Sequence, residues 1–227
     1  MSRKYLELFT DSFDESIQEK TKLENKPYIA YSTKEGRVVY TIVPDKAPVI
    51  EYPADNEIWY TTVDDQIVPT YFYADMSVDN YPAKNNSYKN GKGILQMPEN
   101  IDFLLGYSYS ESGSAAYIGC FGGSISSYDG SNTNTYSNLK SIILPDNITS
   151  ISKCVFVNCN MLSDITISQN TTYVGNYAFR GCTSLTNITY KGTTEQWNTI
   201  TKDYNWNQEC PDITVHCTDG DIVIPAA

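Results

Sequence analysis

Residues 139–185 read LKSIILPDNITSISKCVFVNCNMLSDITISQNTTYVGNYAFRGCTSL, and this stretch carries a repeat that decides the fold. The repeat has a period of 23 residues, and it relates five sets of positions: Leu139, Leu162 and Leu185; Ile142, Ile165 and Ile188; Ile151 and Val174; Phe156 and Phe179; Cys159 and Cys182. A period in the twenties, with apolar residues at constant offsets and turn-forming residues between them, predicts a solenoid whose stacked coils share one core.

The same register begins earlier in the chain. Residues 97–101 (MPENI) match residues 144–148 (LPDNI) in kind, which predicts a first coil near residue 94. Between Leu104 and Leu139 the chain is longer than one repeat needs, and it is rich in Tyr, Ser and Asn. Insertions in solenoids emerge on one face, often the binding face. We therefore predict a partner-binding loop here with seven candidate residues, Tyr107, Tyr109, Tyr117, Tyr128, Asn132, Asn134 and Tyr136.

The first 25 residues predict a short amphipathic helix. Leu6, Phe9, Phe13 and Ile17 fall at helical spacing among charged and polar residues, which gives the helix one apolar stripe. Such a stripe on a short helix must dock on another surface, either the chain's own body or a partner. These four residues are candidate anchor residues, and both docking alternatives stay open.

Residues 26–78 predict a small β module or linker. Three β-like runs at residues 28–31, 38–43 and 57–63 are separated by turn material, and Lys34-Glu35-Gly36 suits a hairpin between the first two. A module of two or three strands is marginal alone, so we expect it to pack against the solenoid or a neighbouring chain. Residues 79–92 are rich in Asn, Lys, Tyr and Pro and predict a loop.

Two stretches closely resemble BspA-like leucine-rich repeats, namely residues 142–151 (IILPDNITSI) and residues 173–185 (YVGNYAFRGCTSL). The family pattern alternates an Ile-x-Ile-Pro strand with a Val-Thr-x-Ile-Gly turn and an Ala-Phe-x-Gly-Cys segment. The tail from Tyr190 to Asp221 resembles the closing segment that commonly follows these repeats, so the resemblance covers roughly residues 90–224. Residues 151–156 depart from the pattern, because they lack the usual Gly and Ala.

The predicted fold is mainly β and has three parts. Residues 1–25 form an N-terminal docking segment with the amphipathic helix, residues 26–78 form the β module, and residues 79–227 form a short BspA-like leucine-rich repeat solenoid with a closing cap. The resemblance implies a binding or adhesive scaffold, of the kind found in surface proteins of anaerobic bacteria, in some protists and in phages of such bacteria. The N-terminal 90 residues also resemble segments of phage and mobile-element proteins, most clearly at residues 56–62.

Charge and hydropathy exclude two kinds of partner. The formal net charge is −11, and nucleic-acid binding needs clustered Lys and Arg, so no nucleic-acid partner is expected. No stretch approaches the roughly 18 consecutive apolar residues of a membrane span, so no membrane insertion is expected. The charged start of the chain also lacks the pattern of a signal peptide. The 19 tyrosines suit either a paratope-like binding surface or simply exposed strands.

The sequence contains no motif for catalysis, a cofactor or a metal. The six cysteines include no Cys-x-x-Cys pair, and the repeat register places Cys159 and Cys182 inward as reduced thiols. Cys210 and Cys217 lie in the closing segment and are more open to bridging. His216, the single histidine, cannot activate Cys217, because adjacent strand residues point to opposite faces. We therefore expect a structural histidine and no enzyme activity.

Three functions remain as hypotheses. The leading one is a non-enzymatic structural and recognition protein of a phage virion, as a head fibre, capsid decoration or tail-attached protein, since virion proteins are assembled without signal peptides. It would contact other virion or surface-structure proteins through its N-terminal segment, bind host surface glycan or protein, and form a homo-oligomer. The alternatives are a bacterial cell-surface adhesin and a glycan-processing enzyme with paired carboxylates among residues 55–80.

Removal of residues 1–25 tests the anchor hypothesis. We expect the truncated chain to keep the far-UV circular dichroism and melting temperature of the full chain, because the repeats form their own core, while assembly or attachment is lost. Aggregation or early melting of the truncated chain would instead show that the segment belongs to the core.

Overall fold

The computed structural model describes residues 28–32, 38–42, 51–70, 72–73, 80–81, 85–97, 101–111, 114–128 and 131–227. The chain divides into two compact units, Met1–Glu51 and Tyr52–Ala227. In the first unit, β1 (Tyr28–Ser32) and β2 (Val38–Ile42) pair antiparallel, as the predicted hairpin requires. The predicted anchor residues Leu6, Phe9, Phe13 and Ile17 lie outside the described residues, so the helix stays a prediction.

The second unit is built almost entirely from short strands. These are β3 (Glu57–Thr62), β4 (Phe72–Tyr73), β5 (Asn80–Tyr81), β6 (Asn85–Lys89), β7 (Lys92–Gln96), β8 (Phe103–Leu104), β9 (Tyr107–Glu111), β10 (Ser114–Ile118), β11 (Ser124–Tyr128), β12 (Ser131–Thr135), β13 (Leu139–Ile143), β14 (Ser150–Ile151), β15 (Asp164–Ile167), β16 (Tyr173–Val174), β17 (Asn187–Tyr190), β18 (Thr201–Lys202), β19 (Ile213–Cys217) and β20 (Gly220–Ile224). The helix α1 (Thr194–Thr199) lies between β17 and β18.

The 23-residue register is a ladder of parallel strands. The strands β13, β15, β17 and β19 pair in parallel, with Ile142 opposite Ile165, Ile165 opposite Ile188 and Ile188 opposite Val215. All four side chains are buried, because alternate strand residues face the core and the repeat keeps the same residue inward in every coil. The predicted solenoid is thereby confirmed, and it has about three turns.

A second, narrower sheet forms another side of the solenoid. The two-residue strands β8, β14, β16 and β18 pair in parallel. Leu104, Ile151 and Val174 lie in register there and are fully buried. Because Leu104 precedes Ile151 by two repeats plus one residue, its place in this ladder confirms the early first coil predicted from the sequence.

The third side consists of turns whose backbones hydrogen-bond from coil to coil. Phe156 N–H donates to Ala178, and Phe179 N–H donates to Trp206. This turn side orders an aromatic column in the core, in which the Phe121 and Phe156 ring centroids are 5.0 Å apart, as are those of Phe156 and Phe179. Trp206 closes the column edge-on to Phe179 at 5.8 Å. The stacked rings therefore hold successive coils about 5.0 Å apart on this side of the core.

A row of thiols runs beside the aromatic column. The Cys182 thiol donates to the Phe156 carbonyl at 3.1 Å, and the Cys210 thiol donates to the Phe179 carbonyl at 3.2 Å. Each thiol thus bonds the backbone of an aromatic residue in the preceding coil. All six cysteines are free, including Cys210 and Cys217, for which bridging had been left open.

The sheet contains a strand that the repeat register does not predict. The strand β3 runs between β7 and β13 and pairs antiparallel with both. Thus residues 57–62, predicted as part of the small β module or linker, are hydrogen-bonded into the solenoid sheet. Tyr60 of β3 lies over Gly93 so closely that a Cβ at Gly93 would come within 2.2 Å of its ring. Residues 85–89, predicted as loop, form the edge strand β6 because they pair with β7.

The predicted partner-binding loop is a sheet instead. The strands β9, β10, β11 and β12 form a four-stranded antiparallel sheet, here called the inserted sheet. Between its two hairpins the chain returns to the solenoid at residues 119–123, where Cys120 N–H donates to Val155 and Phe121 enters the aromatic column. The prediction of a loop was wrong because Tyr and Thr residues also suit exposed strands.

The closing segment caps the last coil, as the resemblance implied. Thr193 and Gln196 form a capping box at the start of α1, and Lys202 Nζ donates to the carbonyls of Trp197 and Ile200 at its end. Trp197 is buried against Tyr190 and covers the end of the core. The antiparallel strand β20 then covers the edge of β19.

Replacing Phe156 with alanine tests the aromatic column. The variant removes a buried ring that stacks on two others, so we expect a loss of about 3–5 kcal/mol in the free energy of unfolding. Urea denaturation followed by circular dichroism measures it. The matched control is Tyr204→Ala, since Tyr204 is 94% exposed and its removal should change stability by no more than about 0.5 kcal/mol. Equal losses in both variants would contradict the column.

Candidate functional site

A cleft of about 440 Å³ opens between the inserted sheet and the turn side of the solenoid. Three residues from the β11–β12 hairpin and the segment after it line one wall, Ile125, Asn134 and Tyr136. Six residues from successive turns line the other, Asn158, Asn160, Arg180, Gly181, Thr183 and Glu209. The cleft exists because the insertion folds back onto the coils that follow it.

Glycines hold the inserted sheet against the turn side. A Cβ at Gly123 would lie 1.9 Å from the Val157 carbonyl oxygen, and one at Gly106 would lie 2.7 Å from the Cys154 backbone. Only glycine allows the two backbones to come this close. Asn158 adds a specific tie, because its Nδ2 donates to the Ser124 carbonyl at 2.7 Å. The wall carrying Asn134 and Tyr136 is therefore attached at its base by backbone contacts.

The opposite wall depends on a left-handed turn that recurs with the repeat. Asn158, Gly181 and Glu209 have φ angles of 54°, 75° and 67°, and they occupy equivalent places in successive coils. This conformation is uncommon for residues other than glycine, and Asn is among those that tolerate it best. Gly181 must be small for a second reason, since a Cβ there would lie 2.4 Å from Asn158 Oδ1. The turn thus fixes the wall on which Arg180 lies.

Arg180 joins the two walls. Its guanidinium lies 5.4 Å from the ring centroid of Tyr117 in the inserted sheet and 5.2 Å from that of Tyr177 in the turn. Its Nε donates to Glu209 Oε1 at 3.3 Å. The two rings also contact each other edge-on at 5.3 Å. An exposed ion pair contributes little by itself, whereas a cation held against two rings gains more, so this cluster chiefly orients the guanidinium.

The polar atoms of the cleft are not all paired. Asn160 Oδ1 is buried and has no hydrogen-bond partner within the described part of the chain. Asn134, Tyr136 and Thr183 are exposed. Leaving a buried acceptor unpaired costs about 1–3 kcal/mol, so Asn160 favours any ligand or solvent group that donates to it.

The structure places the seven candidate binding residues unevenly. Asn134 and Tyr136 line the cleft, and Tyr117 contacts Arg180 at its edge. Tyr107 lies in β9 on the far edge of the inserted sheet, and it is half-buried. Tyr109, Tyr128 and Asn132 belong to strands of that sheet, but their side chains lie outside what the structure describes.

Sequence reasoning missed the residues of the second wall. Arg180, Thr183 and Asn160 lie within the repeats, where the pattern predicts only turns. One signal was present, because Arg180 is the only arginine in the repeats from Leu139 to Cys217.

The single histidine and the carboxylate of Asp64 are held in hydrogen bonds. His216 Nδ1 lies 3.0 Å from Asp221 Oδ1, and its Nε2 lies 3.3 Å from Asn187 Oδ1. Asp64, one of the carboxylates between residues 55 and 80, accepts a hydrogen bond from Asn138 at 2.8 Å, and this bond lowers its pKa. No three His, Cys, Asp or Glu side chains converge as metal ligands among the residues that the structure describes.

Burial controls the chemistry of the thiols. Desolvation raises the pKa of Cys154, Cys159 and Cys210 to about 12 and that of Cys182 well above its usual value. The pKa of the partly exposed Cys217 is also raised, first by desolvation and then by nearby Asp219 and Asp221. Since the thiolate is the reactive form, these cysteines suit packing rather than nucleophilic attack.

The fold and the cleft define the class, a leucine-rich repeat solenoid carrying an inserted sheet. The chain matches the BspA type leucine-rich repeat region, in six copies, over residues 95–213. This match covers more than half of the sequence, and the chain belongs to the BspA type leucine-rich repeat family. Repeats of this type indicate a surface-binding or adhesion-type repeat protein.

Comparisons with curated proteins and with solved structures found no match. Where the structure describes the chain, no helix is long and apolar enough to cross a membrane.

Alkylation by iodoacetamide tests the burial of the thiols. In the native protein at pH 8 we expect mass spectrometry to find modification at Cys217 alone, because the other five cysteines are buried. All six should react after unfolding in guanidinium chloride. The Cys217→Ser variant, which should not react in its native state, is the control. Rapid native modification of Cys159 or Cys182 would show that the core is open.

Proposed function

We propose that this chain is a non-enzymatic recognition protein that binds a ligand of a cell surface in the cleft beside the inserted sheet. One observation carries the proposal: the insertion is folded and attached at glycine contacts, and it builds a concave site lined by Asn134, Tyr136 and Arg180. Solenoids commonly place their binding residues on such per-repeat insertions. The BspA type repeats support the same proposal.

The lining of the cleft favours binding over catalysis. It offers amides, a hydroxyl, a phenol and one arginine–glutamate pair, but neither a cysteine nor the single histidine. A nucleophile with an orienting base, or two carboxylates facing each other, would be needed for acyl transfer or glycoside hydrolysis. Among the lining residues that the structure describes, the one carboxylate belongs to Glu209, and that group is already paired with Arg180.

The finer proposal is a place in a phage virion, as a head fibre, capsid decoration or tail-attached protein. Its support is the resemblance of the N-terminal 90 residues to phage and mobile-element proteins. In this proposal residues 1–25 contact other virion proteins, the solenoid faces outward, and the assembly is a homo-oligomer. The competing proposal is a bacterial cell-surface adhesin, in which the same cleft is displayed on the bacterial cell rather than on a phage particle.

Quantitative mass spectrometry separates the two settings. We would compare purified phage particles with washed cell envelopes from the same source culture. A copy number in particles comparable with other structural proteins is the expected result. Recovery in envelopes alone would overturn the virion proposal and leave the adhesin.

Binding to cells tests recognition itself. The fluorescently labelled full chain should bind intact cells of the source culture saturably, and excess unlabelled chain should compete. An unrelated acidic protein of similar net charge is the control. If the full chain binds no better than this control, the recognition proposal is wrong.

A further inference from the structure

We propose that the cleft binds a neutral oligosaccharide, with the Tyr136 ring as its stacking surface and Asn134, Asn160 and Thr183 as hydrogen-bonding groups. This inference rests on the proposed recognition function and names its ligand class.

The volume favours a small ligand over a protein surface. The cleft volume of about 440 Å³ falls within the roughly 300–1,000 Å³ of small-molecule sites. A stable protein partner would bury about 800 Å² on each side, which calls for a broad and flatter patch. A sugar chain fits this site because one or two of its rings can enter while the rest continues along the open side.

Tyr136 presents the apolar part of the site. Tyr136 is 60% exposed, although the next residue, Ser137, is buried. An exposed aromatic ring at the mouth of a polar cleft offers both a flat apolar face and a hydroxyl. A pyranose has matching parts, since one face carries C–H groups and the rim carries hydroxyls. The ring therefore suits a sugar better than it suits a wholly polar or wholly apolar ligand.

The hydrogen-bonding groups match hydroxyls. Amides such as Asn134 donate and accept at adjacent atoms, and the Thr183 hydroxyl, which donates to the Asn160 carbonyl at 3.5 Å, can still accept from a ligand hydroxyl. Adjacent sugar hydroxyls need this combination. The buried Asn160 Oδ1 lacks a partner within the described residues, so turning this amide toward a ligand hydroxyl would satisfy an acceptor that is otherwise unpaired.

The charge distribution selects a neutral ligand. Arg180 is the one cation among the described residues of the cleft lining, and Glu209 balances it at 3.3 Å while the rings of Tyr117 and Tyr177 flank the guanidinium. The chain as a whole carries a net charge of −11, which repels anions at long range. The paired groups still offer N–H donors and a carboxylate acceptor to hydroxyls. Uronic and sialic acids are therefore disfavoured.

Saturation-transfer NMR and calorimetry with the full chain test the inference. The probes are neutral tetrasaccharides of glucose, mannose, galactose and N-acetylglucosamine, with oligogalacturonate and sialyllactose as acidic counterparts. We expect binding of at least one neutral probe and weaker or no binding of the acidic ones. Tyr136→Ala should lower the affinity by about tenfold, because the stacking surface is lost. Asn134→Ala should lower it several-fold.

Two matched variants separate binding from folding. Tyr204→Ala removes a tyrosine that is 94% exposed and does not line the cleft, so it should bind like the wild type. Tyr136→Phe keeps the ring and should retain most of the affinity. Unchanged melting temperatures in all variants would show that the fold is intact.

The inference fails if no neutral probe binds, if only acidic probes bind, or if Tyr136→Ala binds like Tyr204→Ala. Cell binding distinguishes this failure from failure of the proposed function. Binding that survives periodate treatment of the cells but is lost after protease treatment would assign the ligand to protein and overturn the glycan inference, while recognition stands. Binding abolished by periodate and by Tyr136→Ala supports both.

Discussion

Stacking of aromatic rings from successive coils is the interaction on which the rest of this structure depends. Phe121, Phe156 and Phe179 lie at 5.0 Å intervals, which is close to the spacing of hydrogen-bonded strands. A ring that repeats at this interval fills the core of every coil at the same point. The sheets and turns around the column can then pair without strain, and the thiols of Cys182 and Cys210 add bonds along the same line.

The column also explains how a long insertion is tolerated. The chain leaves the solenoid twice between Leu104 and Leu139, yet it returns in the middle to place Phe121 on Phe156. That return divides the insertion into two short hairpins, each closed at its base. The hairpins replace a long structureless connection with hydrogen-bonded strands, and they pair into a sheet that forms one wall of the cleft.

The turns of the solenoid contain both core residues and cleft residues, on opposite faces. Inward residues such as Phe179 and Cys182 serve the core, whereas Arg180 and Thr183, beside them in sequence, face the cleft. Such separation lets binding residues vary without loss of the fold, which suits a recognition protein. The left-handed turn at Gly181 serves both faces. The Gly181 N–H donates to the next coil at Gln208, and the turn sets the direction of Arg180.

The solenoid, its register and its cap can be predicted from local sequence patterns, because a fixed period places the same side chain inward in every coil. The same patterns place an early coil near residue 94, and the composition of the insertion singles out two lining residues of the cleft, Asn134 and Tyr136. The three-dimensional structure adds that β3 runs between two coil strands, that the insertion is a sheet, and that Arg180 contacts Tyr117. These are contacts between residues distant in sequence, and no local period or propensity specifies them.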